Sequence, residues 1–225
     1  MTKKVLALCS VVLLLYACQS EEPTHLPEGV IESDKPYYVI NDIVQLRLES
    51  SSALASVQWD FGNGKSSKTE IGQVQYLEPG IYEVNLTLTD LDGISNVISK
   101  EIIVGQYHGY EAVLHEVSAG YSGDSGNVQL RLSNSDFLFE EAFWVSLIIE
   151  DFQFVDLPLA IEIDVPLGDA RYHKHERPFF KFMETETETI LGGEGSSTSY
   201  TWLENEFEIS GLGRYSIKYK LVLPE

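Results

Sequence analysis

The chain alternates apolar and polar residues in short runs separated by turn residues. Between Tyr38 and Leu48, Val44, Leu46 and Leu48 oppose Ile43, Gln45 and Arg47, the period of two that marks a half-buried strand. Val57, Trp59 and Phe61 alternate next and run into Gly62-Asn63-Gly64. A short strand is expected at Val74–Tyr76, and Pro79-Gly80 is a turn dipeptide. Tyr82, Val84, Leu86 and Leu88 then alternate with Glu83, Asn85, Thr87 and Thr89, and Asp92-Gly93 turns the chain into a last strand through Val97, Ile98 and Ile102–Val104. No stretch in this region keeps helical spacing. Short strands of even spacing predict a β-sandwich over residues 33–105.

Residues 106–225 continue in the same manner. Val128, Leu130 and Leu132 share one face, and Phe143, Val145, Leu147 and Ile149 another. Leu159, Ile161, Ile163 and Val165 alternate with Ala160, Glu162 and Asp164. Tyr215, Ile217, Tyr219, Leu221 and Leu223 close the chain opposite Ser216, Lys218 and Lys220. The expectation is a second antiparallel β-sandwich or jelly-roll-like domain, so the fold class is all-β throughout. Glu184-Thr-Glu-Thr-Glu-Thr189 reads as an edge strand with three carboxylates on one face, a charge guard against aggregation. Gly192–Ser197 reads as a flexible loop or hairpin tip.

The first residues differ in kind. Lys3 and Lys4 precede an apolar stretch from Val5 to Tyr16. That is too short to span a bilayer, which takes about 20 residues, and suits a secretory leader. It ends Leu15-Tyr16-Ala17-Cys18, which resembles the lipobox of bacterial lipoproteins. The resemblance implies cleavage after residue 17, acylation of Cys18 and a membrane anchor made of lipid. Residues 18–32, with Gln19-Ser20-Glu21-Glu22, Pro23 and Pro27, then form an acylated, proline-stiffened tether. The acidic pair after Cys18 also resembles a signal by which some Gram-negative groups place lipoproteins on the outer face; an ordinary acidic linker is the alternative. Localisation is accordingly expected in the cell envelope, at the outer membrane.

Charge and cysteines narrow the partners. With 15 Lys and Arg against 35 Asp and Glu, the formal net charge is −20. Such a surface lacks the basic footprint of a nucleic-acid binder. Cys9 and Cys18 are the two cysteines. Cys9 would leave with the leader and Cys18 carry lipid, so neither disulfides nor thiolate metal sites hold the folded part.

One segment, Val57-Gln-Trp-Asp-Phe-Gly-Asn-Gly-Lys-Ser-Ser67, has two readings. Gly64-Lys65-Ser66 matches the end of a phosphate-binding loop, but that loop needs a glycine where Trp59 stands and a helix starting at the lysine. Neither is present in the pattern. The strand-and-turn reading instead leads to a family: Trp59-Asp60-Phe61-Gly62-Asn63-Gly64 resembles the W-D-F-G-D-G motif of PKD (polycystic kidney disease) domains. Tyr76-Leu-Glu-Pro79-Gly80-Ile-Tyr82-Glu-Val84 resembles the family's Y-x-x-P-G-x-Y-x-V segment, and Thr89-Asp-Leu-Asp-Gly93 its following turn. Asn63 stands where the family usually has Asp; both accept a left-handed turn. The resemblance implies an immunoglobulin-like sandwich that acts as a spacer or contact surface.

Chemistry is thinner in the second half. Trp144, Trp202, Tyr200 and Tyr121 are candidates for a flat platform on which sugar rings stack, Trp144 and Trp202 because each departs from the apolar face of its neighbours. Core packing is the alternative. His173 and His175, near Asp169 and Glu176, lack the further ligands zinc requires, so no metal and no cofactor are expected. There is no G-x-S-x-G, no H-E-x-x-H and no cysteine nucleophile, and no catalytic residue is assigned. The reading is a non-catalytic envelope lipoprotein whose PKD-like spacer presents a C-terminal binding domain, with polysaccharide as one partner class. The alternatives are a structural or adhesive component contacting other envelope proteins and an accessory hydrolase.

Overall fold

The computed structural model describes residues 25–133, 142–168, 178–194, 199–202 and 205–225. The leader, Cys18, the His173/His175 pair and residues 195–197 of the Gly192–Ser197 loop tip lie outside them. Seventeen strands are described: β1 (Val30–Ser33), β2 (Tyr38–Val39), β3 (Val44–Glu49), β4 (Leu54–Asp60), β5 (Ser66–Ser67), β6 (Ile71–Val74), β7 (Gly80–Asp90), β8 (Ser95–Glu116), β9 (Ser125–Ser133), β10 (Ala142–Val145), β11 (Ile149–Gln153), β12 (Leu159–Gly168), β13 (Phe179–Glu184), β14 (Thr189–Gly192), β15 (Ser199–Trp202), β16 (Glu206–Gly211) and β17 (Gly213–Val222). The fold is all-β, and none of the described helices is long and apolar enough to cross a membrane.

Two apolar cores form. In the first, a sheet ordered β1-β3-β6 packs on β4, β7 and the first half of β8, burying Trp59, Phe61, Leu46, Leu86 and Leu88. In the second, β12, β8, β17 and β16 face a sheet ordered β10-β9-β13-β14, burying Leu114, Leu130, Phe182, Phe207 and Tyr215. Along β12, Leu159, Ile161, Ile163, Val165 and Leu167 are buried while Ala160, Glu162, Asp164 and Pro166 are exposed, the expected alternation.

The two cores are joined inside a strand. β8 runs unbroken through 22 residues, pairing with β7 as far as Val104 and with β17 from Gln106 onwards. β2 adds a parallel pair beside the junction, Tyr38 with Val104 and Val39 with Gly105. Tyr107 packs against both cores, and Leu221 of β17 reaches the first. Residue 105, taken from the sequence as a module boundary, therefore lies mid-strand between two hydrogen-bonded neighbours.

Several local expectations change. The Tyr38–Leu48 run breaks at Asn41, whose φ of 66° turns the chain between β2 and β3. β1 begins at Val30, so residues 30–32 of the stretch read as tether are strand, with Ile31 buried in the first core. Four residues are too few to show a period. The Thr-Glu repeat is a turn: Glu184 ends β13, Thr189 starts β14, and Glu188 has a φ of 53°. Gly192 and Gly193 are ordered too, Gly192 in β14 and Gly193 bridged to Leu212.

Candidate functional site

In the first sandwich, the motif residues explain one another. Trp59 is fully buried, its ring parallel to that of Phe61 at 6.2 Å, and its Nε1 donates to Thr69 O at 2.9 Å. Asp60 points outward, and its Oδ1 accepts the Gly62 amide at 3.0 Å, tightening the turn. Gly62 has a φ of 71°, and a Cβ there would sit 2.6 Å from Glu83 O, so the position excludes a side chain. Gly64 takes a φ of 79° in open space, and no helix follows Lys65. Tyr76 stacks on Tyr82 at 4.0 Å and donates its hydroxyl to Phe61 O, while Tyr82 donates to Glu78 O; burial raises both phenolic pKa values. Gly80, following Pro79, leaves 3.3 Å between a hypothetical Cβ and the Tyr82 ring. These residues build a turn and a core, and they leave no phosphate cradle. A groove of about 610 Å³ runs along β4, lined by Leu48, Ser52, Val57, Gln58, Lys68 and Thr87 among others.

In the second sandwich, the four aromatics have different settings. Trp144 lies opposite Leu132 and packs half-buried against the core. Tyr121 also packs there, edge-on to Phe154 at 5.1 Å, with its hydroxyl donating to Ser125 O. Tyr200 and Trp202 lie on β15, paired in the backbone with Ile209 and Phe207, on the other sheet from β10.

The parity of β10 is thus the reverse of the sequence pattern. Phe143 falls in a bulge between the Ala142–Ser133 and Trp144–Leu132 pairs, so Trp144 turns inward and Phe143 and Val145 turn out. Exposure is 51% for Phe143, 50% for Val145, 89% for Leu147 and 47% for Ile148. A second irregularity holds them there. Ser146 donates its amide to Leu130 O and offers its Oγ to the Leu130 amide, so a side chain replaces a carbonyl in the ladder. β10 and β11 together line one edge of β9, and neither pairs with another strand among the described residues. The sequence signal, overlooked in the alternation, is eight consecutive uncharged residues, Ala142 to Ile149, between Glu140-Glu141 and Glu150-Asp151.

Polar clusters elsewhere have structural settings. Glu184 is 3% exposed and accepts from the Thr187 amide and hydroxyl and from the Asn127 amide, which fixes the β13–β14 turn. Burial pushes its carboxyl pKa up, yet the hydrogen bonds outweigh this and hold it below the usual carboxylate range. His115 Nε2 lies 2.8 Å from Ser216 Oγ, a nucleophile–base distance, and Ser216 is wholly buried. Burial, then Arg214, lowers the His115 pKa. Among the described residues no three His, Cys, Asp or Glu side chains gather to hold a metal ion.

The comparisons place the first sandwich. A family model, the PKD domain, matches residues 40–104. Over 81 residues the chain is 37% identical to collagenase ColA of Clostridium perfringens (strain 13 / Type A), a match covering 35% of this chain and 7% of the collagenase. The PKD1 domain of the Vibrio cholerae metalloprotease PrtV aligns at 29% identity and a TM-score of 0.31, covering 36% of this chain and 98% of that one. A carbohydrate-binding module of the β-sandwich superfamily aligns at 14% identity and a TM-score of 0.34, over 89% of this chain and 99% of its own, a likeness too slight to bear on ligand. Motif geometry and family match agree: residues 40–104 of this chain are a PKD domain.

Proposed function

We propose that the chain is a non-catalytic, lipid-anchored protein of the cell envelope, in which the PKD domain is a stiff spacer that presents the C-terminal sandwich for binding. The observation that carries this reading is β8, one strand shared by both cores. A flexible linker would let two modules swing independently, whereas a shared strand paired on both sides of Gly105 fixes them together. Acylation at Cys18 supplies the anchor and places the PKD domain on its membrane-proximal side.

Of the two partner classes, protein is favoured over glycan. Trp144 and Tyr121 spend part of their rings on the core, while the exposed apolar side chains at Phe143–Ile148 are mostly aliphatic and offer sugar hydroxyls no side-chain partners. Small-angle scattering of the soluble chain tests the spacer. One rigid particle should account for the profile; a profile that demands an ensemble of module orientations would refute it.

A further inference from the structure

We propose that the β10–β11 edge docks an extended segment of another protein as one more strand, apolar at its centre and basic at its ends. This rests on reading the C-terminal sandwich as the binding module.

Unpaired strand edges attract other strands, and folded proteins guard them with charge, proline or cover. The same sandwich shows such a guard on β12, whose outward positions include Glu162, Asp164 and Pro166. Among the described residues the β10–β11 edge has none over Ala142–Ile149, and it displays Phe143, Val145, Leu147 and Ile148 to solvent. Main-chain pairing to such an edge gives affinity, and alternate side chains of the incoming strand give selectivity. β10 already has the ladder on its β9 side, so a new strand extends an existing sheet rather than nucleating one.

Charge selects the occupant. Exposed Glu150 and Asp151 end the apolar run, Glu140-Glu141 precede it in sequence, and the whole chain carries a net charge of −20. A second copy would bring one surface of net charge −20 onto another. An anionic lipid surface meets the same repulsion. A strand with Lys or Arg on either side of an apolar centre is attracted to Glu150 and Asp151 and to the acidic chain as a whole.

The test uses the full chain and a fluorescent peptide of alternating valine and threonine between two lysine pairs. Saturable binding is expected, weakening with added salt. A central proline in the peptide, glutamate pairs in place of lysine, or Val145→Lys with Leu147→Lys in the protein should each weaken it at least tenfold. If the double variant melts early, the proline peptide against the unaltered chain still decides. No saturable binding, or equal binding of the proline peptide, overturns the proposal. So does dimerisation that Val145→Lys abolishes, or vesicle binding through the same residues. Failure here with a single rigid scattering profile would remove the partner and keep the spacer.

Discussion

The backbone of Gly105 lies against that of Val222 so closely that a Cβ on the glycine would sit 2.6 Å from the Val222 carbonyl oxygen. Leu223 and Leu221 side chains would be 2.8 and 3.1 Å from the same point. The end of β17 is thereby pressed onto β8 where the two cores meet, with Tyr38–Val39 along the other side. Gly105→Val forces this contact apart. It should destabilise the chain by about 1–3 kcal/mol, the usual cost of overpacking. Urea melts followed by circular dichroism check this; an unchanged midpoint would mean that the junction is loose.

Trp59 fills the first core and also holds Thr69 O, so Trp59→Ala should cost about 3–5 kcal/mol. Trp59→Phe should cost less, because the ring stack on Phe61 survives and one hydrogen bond is lost. Thermal melts of both variants rank them.

Glu184 gives a pH dependence with a defined sign. Its folded pKa is held below the ordinary carboxylate value, so it adds stability at neutral pH that is lost as pH falls through the folded pKa. Glu184→Gln leaves an acceptor too few for the Thr187 and Asn127 donors and should destabilise by about 1–3 kcal/mol at neutral pH. The gap to wild type should narrow in acid. Denaturation curves over a pH series check it, and a gap independent of pH would assign Glu184 a packing role alone.

β7 and β12 were legible because apolar and polar residues alternate there with nothing to interrupt them. Where one residue breaks the count, the fold departs from the alternation. The bulge at Phe143 reversed the faces of β10, so Trp144 looked outward from the sequence and packs inward in the fold. The Thr-Glu repeat looked like a strand because alternation cannot report a left-handed residue such as Glu188 or a buried carboxylate that ties a turn. The junction was hidden for a related reason: Gly105 resembles a linker residue in sequence, and its small size serves close strand packing. Of the aromatic platform, Tyr121 and Trp144 are placed against one core, which the period of their neighbours did not disclose.

The proposed anchor depends on one side chain. Cys18→Ser should abolish acylation and move the chain from the membrane to the soluble fraction, with the fold intact. Metabolic labelling with palmitate and fractionation report the two effects separately; retention of the variant in the membrane fraction would point to another anchor.

The most direct test of the shared strand is a distance. Leu91 lies in the turn before β8, and Val155 lies between β11 and β12 near the strand's far end; both are exposed. Labels at Leu91→Cys and Val155→Cys, in a Cys9→Ser, Cys18→Ser background, straddle a strand whose 22 residues extend about 70 Å. Pulsed electron–electron resonance should give one narrow distance peak, because β8 holds both cores. A broad distribution, or several peaks, would show that the modules move independently and would contradict the account.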